Sequence, residues 1–419
     1  MSPAHRPPPG KATPMSKQKQ PPHVPLKEYQ ARRNKVLKAL GRSIGVIHAG
    51  ERHGHGPYRP NPNFEYLTGI TDEPGAILLL DPNYPVEKKR SVLFLKPLNP
   101  EVERWDGHRE FIGSTLRTKY GVSTIFRTGL LGRIINVALN KTRSLACLDS
   151  FSTIDGEPSA DLQLFQKVAQ RVPGIQIVDK TDILARCRAI KSRSEIDMIR
   201  QAAKITQEGF LQVMATTKPG MNEFDVQETV EHAYKSNGSR GASFNTIAGG
   251  GFNATVLHYE SNNCTLNDGE LLLLDSGADF GGYAADVTRT IPINGRFSKR
   301  QKEIYGIVLE SQEAAIKRCR PGATFEQIDQ AARKVIEKAG YGDCFFHGTG
   351  HHLGLEVHDI TPDMSMKPGC VITIEPGIYI QSENIGIRIE DDILITREGH
   401  SVLTSGIPKS IQAIEKAMR

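Results

Sequence analysis

The stretch LLLLDSGADFGGYAADVTRTIPI, residues 271–293, decides how the second half of this chain is read. Two apolar runs flank a glycine pair, Gly281-Gly282, as expected for two strands joined by a tight turn. Asp275 ends the first run and Asp286 lies in the second, so a hairpin would bring the two carboxylates side by side. Further along, ITIEPGIYI (372–380) puts Glu375 at the end of an apolar strand. IGIRIEDDILIT (385–396) puts Glu390 inside one. An acid in a core strand is costly unless it is paired or binds a metal. Any one of these acids alone reads as a strand-end surface residue. Four in this order, alongside a histidine cluster, read as a site.

That cluster is HGTGHHLGLEVHD, residues 347–359, with His347, His351, His352 and His358. The His347–His351 spacing matches a helical zinc pair, but Gly348, Gly350 and Gly354 oppose a helix, and no glutamate adjoins His347.

Working outward, the order before and after the acids is helices at 222–236, 298–318 and 324–339, with strands at 242–248, 270–275, 284–291, 371–375, 387–390 and 391–395. This predicts an α+β domain with an antiparallel sheet. A long amphipathic helix opens it, with Ser194 as N-cap and Ile196, Ile199, Ala203, Thr206 and Phe210 on one face. Before it, a helix near 27–40, short buried strands in IGVIHAG, AILLLDP, SVLFLKP and SLACLDS, and a helix in QLFQKVAQRV describe an α/β domain. The expected division is a tail at 1–25, an N-terminal domain at 26–180 and a second domain at 181–419.

The chain has 419 residues and a formal charge of +6. Residues 1–25 hold Arg6, Lys11, Lys17 and Lys19, eight prolines and no acid, so most of the excess charge sits there. A basic tail of this kind is expected to be disordered, and gives no reason to expect a nucleic-acid groove. It lacks the apolar core of a secretory signal, and Pro7-Pro8-Pro9 opposes the amphipathic helix of a transit peptide. No apolar run approaches a membrane span. Six scattered cysteines without a CxxC are expected to be reduced thiols in a cytoplasmic protein.

Asp275, Asp286, His351, Glu375 and Glu390 resemble, in order and setting, the five metal ligands of the pita-bread metallopeptidases. LLLLDSGADFGGYAADVTRT, HGTGHHLGLEVHD, ITIEPGIYI and IGIRIEDD resemble the aminopeptidase P and prolidase branch. PYRPNPNFEYLTG (57–69) resembles the corresponding N-terminal segment of aminopeptidase P. The likeness spans roughly residues 26–410. Two departures stand out: Thr349 where a hydrophobic residue is usual, and His352 where an aromatic is frequent.

The resemblance implies an α/β N-terminal domain and a pita-bread catalytic domain with a curved antiparallel sheet. It implies two divalent ions, with Asp275 on one, Asp286 and Glu390 bridging, and His351 and Glu375 completing the second. Oxygen-rich donors with one imidazole favour Mn²⁺. Paired ions roughly 3.5–4 Å apart can activate a shared water and polarise a carbonyl. The implied reaction is release of the first residue from peptides with proline second. His358 would serve proton transfer, Glu375 would shuttle a proton, and His258 and His347 would touch substrate. Arg388 would orient ligands, and Tyr379 would close the pocket or pack in the core. Trp105 reads as a buried core aromatic. The resemblance would instead send it into a neighbouring subunit's site, implying a dimer or tetramer. The alternatives are a prolidase, which shares every ligand, and a non-catalytic peptide- or histone-binding protein of the same fold. The intact ligand set weighs against the latter.

Overall fold

The computed structural model describes residues 21–52, 54, 56–151 and 155–419. Most of the expected tail therefore lies outside the described residues. At its inner end, Val24 packs beside Met198 and Tyr283, so the tail's last residues do touch the core.

The N-terminal domain is built on a six-stranded mixed sheet. Its spatial order is Thr124–Arg127, Ser91–Leu95, Ile77–Leu80, Ile44–His48, Ser144–Cys147 and Gln176–Asp179. Both faces are covered. Ile47, Leu78, Leu80, Leu93 and Leu95 pack under the helices Leu26–Leu40 and Pro62–Thr68. Ile44, Val46, Leu79, Val92 and Phe94 pack under Leu131–Leu139 and Ala160–Ala169. That is why these strands read as unbroken apolar runs rather than alternating ones. The two edge strands escaped the sequence reading, because Thr124–Arg127 and Gln176–Asp179 are short and half polar.

The helix Asp182–Ala189 buries Leu184 and Cys187 in the N-terminal core. The expected boundary at residue 180 thus gave to the second domain a helix whose apolar face belongs to the first. The long helix Arg193–Thr216 begins at Ser192, not Ser194. The Ser192 hydroxyl accepts from the Glu195 amide, and Glu195 accepts from the Ser192 amide at 2.8 Å. A capping box needs its acid three residues after the cap, and only Ser192 satisfies that with Glu195.

The second domain pairs long helices with antiparallel strands. Leu271–Ser276 lies between Ile247–Gly250 and Val287–Pro292, and Val371–Ile374 pairs with Asp391–Ile395. Gly377–Ile380 pairs with Ile385–Arg388. The expected curved sheet is thus divided, by its hydrogen bonding, into small antiparallel sheets. They are stitched together where the Glu390 amide donates to the Thr288 carbonyl. Helices Lys299–Ile316 and Phe325–Lys338 pack behind, with Ile304, Val308, Ile328 and Ile336 in one core with Leu272, Ile291, Ile372 and Ile393.

Candidate metal centre and substrate cavity

The register Val287↔Ser276 and Thr288↔Asp275 sets Asp286 just beyond the end of its strand, across from Gly277. The approach is close: a Cβ on Gly277 would lie 1.7 Å from the Ala285 carbonyl oxygen. Glu375 follows the strand Val371–Ile374. Glu390 sits in the break between Ile385–Arg388 and Asp391–Ile395, not inside a strand as expected. A carboxylate at a break points where two sheets meet, and that is where the acids gather.

The histidine loop is drawn onto the same place. The His351 amide donates to Thr373 Oγ1 at 3.1 Å, and the Glu375 amide donates to the Thr349 carbonyl at 2.8 Å. A Cβ on Gly350 would lie 2.0 Å from the Thr373 carbonyl oxygen, so the loop lies on the strand at a distance only glycine allows. Thr349 turns inward, its hydroxyl donating to Asp329 at 2.7 Å. A hydrogen-bonded hydroxyl thus occupies the usual hydrophobic position.

Asp275, Asp286, His351, Glu375 and Glu390 line one cavity of about 320 Å³, together with His258, His347, His358 and Arg388. His351 Nε2 lies 3.5 Å from Asp286 Oδ2 and 3.4 Å from Glu375 Oε1. One ligand atom each from Asp286, His351 and Glu390 fall within 4.8 Å of one another. Asp275 Oδ1, Asp286 Oδ1 and Glu390 Oε1 are buried without a hydrogen-bond partner. Orphaned carboxylate oxygens facing one imidazole are what a hard divalent cation needs, so the donor set fits a metal.

Electrostatics agree. Burial raises the Asp286 carboxyl well above its ordinary range, reinforced by Glu390 and Asp275. Glu390 is raised likewise, by burial and by Glu375 and Asp275. Burial lifts Glu375 to about 8, with Arg388 pulling the other way. Burial holds His351 down at about 4, leaving its imidazole neutral and free to ligate.

Arg388 is the hub behind the acids. It donates to Asp275 Oδ2 at 2.5 Å, Thr288 Oγ1 at 3.0 Å and the Tyr379 hydroxyl at 3.0 Å. Thr288 donates on to Glu390 Oε2 at 2.8 Å. The Tyr379 hydroxyl also meets His347 Nε2 at 2.9 Å. Tyr379 is buried and stands behind His347 rather than lining the cavity. Burial holds His347 at about 4, and Arg388 pushes the same way. The His358 ring stands edge-on to His351 at 4.3 Å, and His258 is exposed at the rim. The His352 ring is buried against Phe325 and does not line the cavity, while its carbonyl meets His351 Nδ1 at 3.1 Å.

Trp105 corrects the reading of a core aromatic. It is 89% exposed and lies on the N-terminal domain, away from this cavity. The sequence reading missed Thr288, Thr373 and Asp392. The last accepts from the Asp286 amide at 3.3 Å. The adjacent acid in Glu390-Asp391-Asp392 was the available signal.

Residues 197–397 match metallopeptidase family M24, and residues 29–146 match the aminopeptidase P N-terminal domain. The chain is 33% identical to the Xaa-Pro aminopeptidase of Haemophilus influenzae, over 94% of this chain and 98% of that one.

The chain belongs to metallopeptidase family M24.

Among solved structures, Escherichia coli aminopeptidase P with the inhibitor Pro-Leu superposes with a TM-score of 0.83. It is 31% identical, covering 94% of this chain and 98% of that one. The expected two-domain fold, with an aminopeptidase P N-terminal domain before a pita-bread domain, stands with it. The chain is also 31% identical to intermediate cleaving peptidase 55 of Schizosaccharomyces pombe, over 94% of this chain and 87% of that one. Among the described residues, no helix is long and apolar enough to cross a membrane.

Proposed function

We propose that this M24 enzyme is an Xaa-Pro aminopeptidase that releases the first residue from peptides with proline second. The observation that carries the reading is one cavity lined by all five acid and imidazole donors and by His258, His347 and His358. Near full-length likeness to Xaa-Pro aminopeptidases supports it.

We assign Asp275, Asp286, His351, Glu375 and Glu390 to two divalent ions, Mn²⁺ by preference. Such ions supply an activated water and a polarised scissile carbonyl when bound. Arg388 fixes Asp275 directly and Glu390 through Thr288. The leaving nitrogen of an Xaa-Pro bond becomes a secondary amine and must gain a proton. His358, beside His351 and open to the cavity, is assigned that transfer, and Glu375 the shuttle. His347 lines the cavity with Nε2 on the Tyr379 hydroxyl and Nδ1 on the Gly348 carbonyl, so it is assigned a packing contact with substrate, and His258 contacts substrate from the rim. Tyr379 acts through His347.

Trp105, large and exposed, is assigned to a second subunit's cavity, which makes the enzyme a dimer or tetramer. Six free cysteines support a cytoplasmic location.

A second reading, cleavage of peptides that need not carry proline, comes from the likeness to an intermediate cleaving peptidase. Assays of Arg-Pro-Pro, an Xaa-Pro dipeptide and a proline-free tripeptide, side by side, separate the readings. Release of arginine from Arg-Pro-Pro alone supports the proposal. Activity confined to the dipeptide makes the enzyme a prolidase, and preference for the proline-free peptide favours the second reading.

A further inference from the structure

His358 is poorly supported by its own surroundings. It borders the catalytic cavity on one side and a second cavity, of about 470 Å³ between the domains, on the other. Apart from its edge-on contact with His351, an exposed ring between two cavities has little packing to fix it, so its place depends largely on its backbone. The next residue, Asp359, is buried and anchored. Its amide donates to the His352 carbonyl at 2.9 Å, and its carboxylate meets Arg188 directly and Lys191 at 3.2 Å.

Arg188 is the connection to the other domain. It is 2% exposed and lies on Asp182–Ala189, the helix that packs into the N-terminal core. Besides Asp359 it donates to Glu356 at 2.6 Å and to Asn63 Oδ1 at 2.9 Å. Asn63 belongs to PYRPNPNFEYLTG and donates in turn to Asp149 Oδ1 at 2.9 Å. A buried chain of bonds therefore runs from Asp149 through Asn63 and Arg188 to the residue that follows His358.

We propose that Asn63 and Arg188 are positioning residues, a clamp by which the N-terminal domain sets His358 over the catalytic cavity. This rests on His358 acting on substrate. The planar guanidinium suits the task, because it holds Asn63 and two carboxylates in a fixed fork that an ammonium cannot reproduce.

The test is a double-mutant cycle on the metal-loaded enzyme. Removing Arg188 outright would strand a buried carboxylate and can prevent folding, so Asn63→Ala and Arg188→Lys are the variants. Each should lower kcat about tenfold, with KM and bound metal changed less than about twofold. In a His358→Ala background neither should lower kcat further, because the group being positioned is gone. An equal tenfold loss in both backgrounds would overturn the clamp while leaving His358 its role. Unchanged kcat in both single variants would also overturn it. Unchanged kcat in His358→Ala itself would remove the role and the clamp together.

Discussion

Between pH 6.5 and 8.5 the metal-free protein should lose stability as pH rises, and Glu375 should account for about 2 kcal/mol of the loss. Burial holds its carboxyl at about 8, against an ordinary value of 4.5. The folded state therefore keeps a proton that the unfolded state has released. That contribution is fully present below pH 4.5 and disappears as pH climbs through 8. The histidines oppose this at lower pH. His347, His351 and His352 are held at about 4, so their contribution is present above 6.5 and lost as pH falls. Starting at pH 6.5 leaves most of their titration behind. From there to 8.5, a group titrating at 8 changes by roughly 1.4 pH units of free energy, or about 2 kcal/mol at 1.36 kcal/mol per unit. Glu65, raised to about 7 by burial, titrates in the same window, so a comparison must isolate Glu375. Glu375→Gln does so. Urea unfolding of chelator-treated protein at both pH values should show the wild type losing about 2 kcal/mol more than the variant. Glu375 also raises Glu390, so the substitution should reduce the loss further, never increase it. Equal losses, or a metal-free wild type that gains stability with pH, would refute the account. Saturating Mn²⁺ should flatten the wild-type profile, since ligands held as anions by a cation no longer take up protons.

The remaining expectations concern single residues. His351→Ala should lower metal content and activity together. His358→Ala should keep its metal and lose on the order of 10²–10⁴ in kcat, as measured by elemental analysis beside kinetics. Arg388→Ala strips a buried partner from Asp275, and should cost about 3–5 kcal/mol in denaturant unfolding and weaken metal binding; unchanged stability would contradict the hub described here. Gly277→Ala should fail to fold or melt far below the wild type in calorimetry, because its methyl would overlap the Ala285 carbonyl. His352→Ala should keep most activity, with any loss appearing in the melting temperature instead.

The sequence by itself carried the donors. Five residues of metal-ligating type in fixed order, four acids in or beside apolar runs and one histidine in a glycine-rich loop, are a local signal, since an acid beside LLLL or VITI needs a partner wherever the strand ends up. The same runs declared the buried strands of both domains, because continuous apolar character survives without knowledge of neighbours. What crosses the chain was not legible. Glu390 reads as mid-strand until its amide is seen bonded to Thr288, and Thr288 and Thr373 are ordinary strand residues until Arg388 and His351 are set against them. Trp105 shows the limit most plainly: an aromatic favours burial on average, but whether its helix has a core to face is decided by packing. The Asn63–Arg188–Asp359 chain spans residues 125 and 171 apart at its two links. Hydrogen bonds of that kind exist only once the two cores have formed and met, so the tertiary structure alone could decide them.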